Sequence, residues 1–295
     1  MRLATFSLLI ATLPIQFACD APDVAQNEAL AQRHSRIVTL APSLAELVFA
    51  AGAGDFLVGV SAYSDFPPQV DGLPLVGDAF TIDQEQLALL QPDLLLVWQS
   101  GTPEHIVDEL RIAGYAVETI RTQKLADIPA ALIRIGELTG RDERAMQVAA
   151  DFDAGLRALA QKFAGNEPIR VFYQVSKRPL YTVSNAHYAS ELIALCGGSN
   201  VFSDLDELAP AIDVEAVIDR DPEAMLAGRD SGDDAFNEWD RWPQIAANRY
   251  GNHFFLPGDE LSRPTPRVLT AGAAICEALQ TARERRAVHE ESDGA

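Results

Sequence analysis

Apolar positions along this chain change their period in a regular way. The β-branched run "RIVTL" at Arg36 reads as a short buried parallel strand, and "FLVGVS" and "PDLLLVW" repeat the type. Alternating with them, "SLAELVFAAGAG" and "EHIVDELRIAG" carry helical spacing and close on a glycine at the C-terminal end. Strands alternating with helices predict an α/β fold with parallel sheets. A longer pattern runs from Asp142 to Phe163, where Met146, Ala149, Phe152, Leu156, Leu159 and Phe163 recur at three- and four-residue steps. These 22 residues predict one helix of about 33 Å. No glycine-rich hinge interrupts it, so a stiff strut is expected rather than a flexible linker.

The pattern on either side of that helix repeats. "DQEQLALLQPDLLLV" opens at Asp83 and "DVEAVIDRDPEAMLA" at Asp213, which pairs Asp83, Glu85, Pro92 and Asp93 with Asp213, Glu215, Pro222 and Glu223. A second echo, "AELVFAAGAG" against "SELIALCGGS", pairs Glu46 with Glu191 and Gly52 with Gly197. Two echoes in the same order, offset by about 130–145 residues, indicate a duplicated lobe rather than a short-period solenoid. The expected fold is therefore two Rossmann-like α/β lobes joined by one long α-helix. The expected divisions are an N-terminal lobe at 35–141, a connecting helix at 142–165, a C-terminal lobe at 166–286 and a tail at 287–295.

Charge narrows the function. The chain of 295 residues carries 43 acidic against 23 basic side chains, a formal net charge of −20. Such a surface repels nucleic acid, and no arginine-rich tract offsets it. The N-terminus has a different character: Arg2 precedes an apolar run, Leu3 to Phe17, too short to span a bilayer comfortably. Residues 1–19 read as an export signal. Cys19 follows Ala18, which fits a lipoprotein signal, although Gln16 stands where such signals carry leucine. Cys19 is the expected lipidation position, followed by a flexible tether at 20–34. The expected location is periplasmic, anchored through Cys19 or, as the alternative, in a soluble form. Export leaves Cys196 and Cys276 in an oxidising compartment, as a disulfide or as two buried thiols.

Chemistry-bearing motifs are few. The five histidines, His34, His105, His187, His253 and His289, are dispersed without paired spacing, so no metal site is expected. No nucleophile elbow, phosphate loop or HExxH pattern occurs, and "AGAGD" follows a helix rather than a strand, so no enzyme is expected. Trp239 and Trp242 precede a predicted strand and read as packing residues.

The segments "RIVTLAPSLAELVFAAGAG", "VGVSAYSDFPP", "QPDLLLVW", "RVFYQ", "ELIALCGGSNVF", "SRPTPR" and "AAICEAL", in that order and spacing, resemble the helical-backbone class of periplasmic solute-binding proteins of ABC importers. "YSDFPP" and the two cysteine contexts favour the vitamin-B12-binding branch. The resemblance implies a monomer that holds cobalamin or a related corrinoid between its lobes, with haem or a ferric siderophore as the alternative. It implies no cofactor of its own, and an ABC-transporter permease and ATPase complex as partner. By position it implies ligand contacts from Tyr63 and Trp98 on the N-terminal wall and from Tyr181, Asp259 and Arg263 on the C-terminal wall. Arg263 would donate to ligand amides while Asp259 holds it. Two tryptophans of the branch are replaced here by Ala79 and Ala209, and Phe80 is expected to supply part of the missing face. Glu85 and Glu215, one per lobe, are the implied transporter-docking residues.

Overall fold

The computed structural model describes residues 33–293, except 79 and 164. The export signal, Cys19 and most of the tether lie outside the described residues, as does Ala79. The first lobe runs β1 (Ile37–Thr39), α1 (Pro42–Ala50), β2 (Leu57–Val60), α2 (Gln84–Leu90), β3 (Leu94–Trp98), α3 (Glu104–Ile112), β4 (Val117–Ile120) and α4 (Asp127–Thr139). Then come the connecting helix α5 (Asp142–Phe163) and the second lobe. That lobe contains β5 (Ile169–Gln174), the hairpin β6 (Ser176–Lys177) and β7 (Leu180–Tyr181), α6 (Tyr188–Leu195), β8 (Gly198–Asn200), α7 (Val214–Arg220) and β9 (Ala224–Gly228). It ends with α8 (Ala246–Tyr250), β10 (His253–Leu256), α9 (Gly258–Ser262) and α10 (Val268–Asp293).

Each lobe is built on a four-stranded parallel sheet, ordered β2-β1-β3-β4 in the first and β8-β5-β9-β10 in the second. The two orders superimpose when β1 is matched to β5 and β3 to β9. Helices cover both faces, which is why the central strands read as unbroken apolar runs: Leu94 to Val97 and Ala224 to Ala227 are all buried. The chain leaves β1 and β3 in opposite directions across the sheet. That creates a topological switch point at their carboxyl ends, where open α/β sheets hold ligands.

The repeat extends beyond the motifs legible in sequence. Asp83 and Asp213 cap α2 and α7 by accepting the backbone N–H of Gln86 and Ala216, at 2.9 and 2.8 Å. Both helices end on a non-glycine left-handed residue, Gln91 at φ 47° and Asp221 at φ 43°. The exposed carbonyls there are satisfied by arginines at the starts of β1 and β5: Arg36 Nε donates to Gln91 O at 3.2 Å and Arg170 Nε to Asp221 O at 3.0 Å. Asp93 and Glu223 complete the parallel by accepting backbone N–H groups of Arg36 and Arg170.

One apolar cluster continues from the first lobe through Phe152 and Phe163 of α5 to Ile169, Tyr188 and Leu192 of the second. The strut is thus packed into both cores. Its predicted stripe holds at Ala149, Phe152 and Phe163, whereas Met146 is 54% exposed and Ala145 is buried instead. The cause is the close approach of α4: a Cβ on Gly136 would lie 2.5 Å from the Ala145 Cβ, so the contact admits only small side chains and turns Met146 outward. The expected tail at 287–295 is helical over its described residues, because α10 continues to Asp293. "RERRAVHEE" is rich in good helix formers, and propensity carries the helix past its buried part.

Cys196 and Cys276 form a disulfide, both sulfurs fully buried between α6 and α10. Trp239 is buried, donates from Nε1 to Gln174 Oε1 at 2.8 Å and packs edge-on to Phe172, so it is a core residue as its sequence context predicts. Among the described residues no His, Cys, Asp or Glu cluster could hold a metal ion, and no helix is long and apolar enough to cross a membrane.

Candidate functional site

The loops at the carboxyl ends of β1, β2 and β3 enclose a cavity of about 480 Å³, lined by Leu40, Ala41, Pro42, Ser61, Tyr63, Phe80 and Trp98 among others. Three of the six expected ligand contacts meet here. The wall is mainly apolar and aromatic, with Asp78 and Ser61 as its polar members. Its size and character are those of a small-molecule site.

Each aromatic is held by a different device. Trp98 ends β3, and its indole Nε1 donates to Thr122 Oγ1 at 2.9 Å. Gly101 lies against the other side of the ring: a Cβ there would stand 2.4 Å from Trp98 Cε3, so glycine lets the backbone seat the indole. Phe80 is 71% exposed at a loop tip where Asp78 Oδ1 accepts the N–H groups of Phe80 and Thr81, both at 2.8 Å. Tyr63 is 81% exposed and sits at φ 65°, the left-handed region that costs a non-glycine residue conformational energy. Two large aromatic rings displayed to solvent, one on a strained backbone, do not repay their cost in the first lobe's own core.

The second-lobe candidates divide. Tyr181 lies on the β6–β7 hairpin, at the carboxyl end of that lobe's sheet, and is exposed. It does not line the cavity. Asp259, in the short helix α9, is exposed as well. Arg263 departs from expectation. Its contact with Asp259 is a loose 3.5 Å, and the guanidinium instead turns into the first lobe. It donates to Glu46 Oε1 at 3.1 Å, to Asp65 Oδ1 and to the Tyr63 carbonyl at 3.3 Å. Burial works against its charge, but the hydrogen bonds it donates to Asp65 and Glu46 outweigh burial and raise its pKa further. The same bond holds the Asp65 carboxyl below the usual range. In this structure Arg263 therefore ties the lobes together and fixes the backbone of Tyr63.

Sequence reasoning missed the rest of this tie. Arg267 donates to Glu46 Oε1 and to Glu260 Oε1, both at 2.9 Å, and lies 4.0 Å from the centre of the Phe66 ring. Thr265 Oγ1 donates to Glu46 Oε2 at 2.9 Å. Glu46 stands more than 200 positions from both Thr265 and Arg267, and the only available signal was the unusual density of arginine around "SRPTPR" in an acidic chain.

Glu85 and Glu215 are exposed in the first turns of α2 and α7. Among the described residues neither carboxylate has a salt-bridge partner within 4 Å, and the repeat places them equivalently, one per lobe.

Comparison with known proteins agrees with this architecture. Residues 37–260 match the family described as "Periplasmic binding protein". A Vitamin B12-binding protein of Vibrio cholerae serotype O1 is 34% identical over 251 residues, covering 85% of this chain and 91% of that one. A Vitamin B12-binding protein of Pectobacterium atrosepticum is 34% identical over 255 residues, 83% of this chain and 88% of its own. The crystal structure of the periplasmic Vitamin B12 binding protein BtuF of Vibrio cholerae superimposes with a TM-score of 0.77 at 34% identity, covering 85% of this chain and 98% of that one. A periplasmic heme-binding protein of Roseiflexus sp. RS-1 shares the fold, with a TM-score of 0.72 at 22% identity over 85% of this chain and 98% of its own. Two lobes on a helical strut, a ring-lined cavity at the switch point and a match across most of the chain establish that this protein belongs to the periplasmic binding protein family.

Proposed function

We propose that the protein is the periplasmic receptor of an ABC importer and that its cargo is cobalamin or a related corrinoid. The observation that carries this reading is the meeting of Tyr63, Phe80 and Trp98 on one cavity at the carboxyl ends of β1 to β3. A corrin offers a broad, partly apolar face, and aromatic rings bury large area against such a face at low entropic cost. Tyr181 and Asp259, from the opposing lobe, complete the site by meeting the far side of the guest. Nothing is transformed; capture and release are the function.

Delivery requires the importer to recognise the loaded receptor. Glu85 and Glu215 are the proposed docking residues, each meeting a basic group on one half of a two-fold transporter. Exposed ion pairs contribute little affinity one by one, so their value is orientation. Cys19, where the export signal ends, is the proposed lipid attachment that keeps the receptor at the membrane.

The deciding experiment is titration of the purified apo-protein with cyanocobalamin, cobinamide, haemin and a ferric hydroxamate, followed by tryptophan fluorescence and calorimetry. Submicromolar binding of the two corrinoids with quenching of Trp98 is expected. Tight binding of haemin alone would replace the corrinoid with haem as cargo, a reading for which the small exposed Ala209 leaves room.

A further inference from the structure

Glu46 and Glu191 occupy equivalent positions in the duplicated helices α1 and α6, and each spends its carboxylate outside its own lobe. Glu46 accepts from Arg263, Thr265 and Arg267 of the second lobe. Glu191 accepts the Leu125 backbone N–H of the first lobe at 2.7 Å and lies 3.3 Å from Lys124 Nζ, which also donates to Asn185 O at 2.6 Å. The repeat has therefore produced two reciprocal ties between the lobes. Their environments differ. The Glu46 side chain is 2% exposed and surrounded by three donors, while Glu191 and Lys124 are each about one-third exposed.

We infer that these glutamates are positioning residues for the ligand site: reciprocal clasps that set the separation of the lobes in the free protein, with the Glu46 clasp as the fixed edge and the Glu191–Lys124 clasp as the edge that opens first. Geometry supports the division of labour. The Glu46 clasp is continuous with the cavity, because Arg263 also holds Asp65 and the Tyr63 carbonyl and Arg267 covers Phe66. Parting that edge would strip counter-charges from half-buried arginines and expose the buried Glu46 carboxylate, and would displace a cavity wall. Parting the other edge returns a half-exposed lysine and carboxylate to water, where an ion pair is worth little. The packed strut α5 resists both motions and leaves a small gape on one side.

The test uses the mature protein with its disulfide intact, spin-labelled at Ile112 and Asp219, both exposed and in different lobes. Interlobe distances are read by pulsed electron resonance without ligand, so this arm holds whatever the cargo proves to be. Only the kinetic arm rests on the corrinoid reading. Glu191→Ala and Lys124→Ala are expected to broaden the distribution by similar amounts, with the double variant no broader than either. Glu191→Gln, which keeps the acceptor for Leu125, should lie nearer wild type. Cyanocobalamin dissociation should quicken at least threefold in Glu191→Ala, with association changed less than twofold. Glu46→Gln, checked for folding by its thermal transition, should instead weaken binding by slower association, because the Tyr63 wall is no longer preset. Arg134→Ala, which breaks the Arg134–Glu118 pair inside one lobe, is the control. An unchanged distribution in the Lys124 and Glu191 variants, or equal broadening in the Arg134 control, would overturn the inference.

Discussion

Replacing His187 with asparagine should flatten the acid side of this protein's stability profile. His187 precedes α6, and its Nδ1 accepts the Ala189 N–H at 3.1 Å, a capping role open only to the unprotonated nitrogen. Burial, reinforced by the charge of Lys124, lowers its pKa from 6.5 to about 4. At pH 7.5 the ring is neutral in both folded and unfolded chains and contributes nothing to pH dependence. As pH falls through 6.5 the unfolded chain takes up a proton that the folded protein refuses until about pH 4, so folded stability drains away across that window. Linkage gives a loss of about 2 kcal/mol between pH 7.5 and pH 5.0 from this residue alone. Asparagine keeps an acceptor at the cap and has nothing to titrate. The assay is guanidinium unfolding of wild type and His187→Asn at both pH values. His253, also lowered by burial, and the carboxylates Asp65, Asp204 and Asp234, held down by Arg263, Arg220 and Lys177, affect both proteins alike and cancel in the comparison. Wild type should lose about 2 kcal/mol more than the variant. Equal losses would refute the buried neutral cap.

The other predictions concern the disulfide, the cavity and the docking face. Cys196→Ala with Cys276→Ala releases a loop of sequence separation 80 and should cost about 3–4 kcal/mol, seen as a lowered thermal transition that reductant no longer shifts. Trp98→Ala should raise the cyanocobalamin Kd by about 10- to 100-fold and remove most of the ligand-induced fluorescence change, in line with the loss of one large buried aromatic contact. Trp239→Phe, deep in the second core, should leave that affinity unchanged. Glu85→Ala combined with Glu215→Ala should abolish uptake in cells while calorimetry shows wild-type ligand affinity; normal uptake would exclude these residues as the docking pair.

Periodic features were legible in sequence because they are local. The span of α5 follows from acids at Asp142 and Glu143, an apolar step of three to four residues and Pro168 shortly beyond its end. The duplication was visible because the turn from α2 into β3 and from α7 into β9 needs the same cap, the same left-handed exit and the same acid before the strand. The interlobe contacts of Arg263 were not legible, for the opposite reason. Its sequence neighbourhood offers Asp259 four residues away, but its true partners, Glu46 and Asp65, stand about 200 positions earlier, and no local rule weighs them. Glu46 and Glu191 were paired as repeats, yet nothing in either helix says that its carboxylate will leave the lobe. Met146 obeyed the helical period and was still displaced, because small residues on α4 decide which face of the strut is buried.

Symmetry is kept and broken in different parts of the two lobes, and the division follows from what each part must meet. At the starts of β1 and β5 the arginine on the helix exit and the acid before the strand recur in both lobes, and at the opposite end of the same helices the Asp83 and Asp213 caps recur, each followed by an exposed glutamate. At the ends of β3 and β9 the equivalence fails. The position that is Trp98 at the end of β3 is Gly228 at the end of β9, and a Cβ there would stand 2.1 Å from Asp230 Oδ1. A bulky ring is thus excluded from the second lobe at the place where the first requires one. A duplicated scaffold that met only two-fold partners would have no reason to diverge at that one strand end. Divergence in the cavity wall supports the proposed asymmetric guest, while the equivalent placing of Glu85 and Glu215 supports the proposed partner with two equivalent halves. On that reading, capture of a lopsided ligand and presentation to a symmetric importer impose two different demands on one chain.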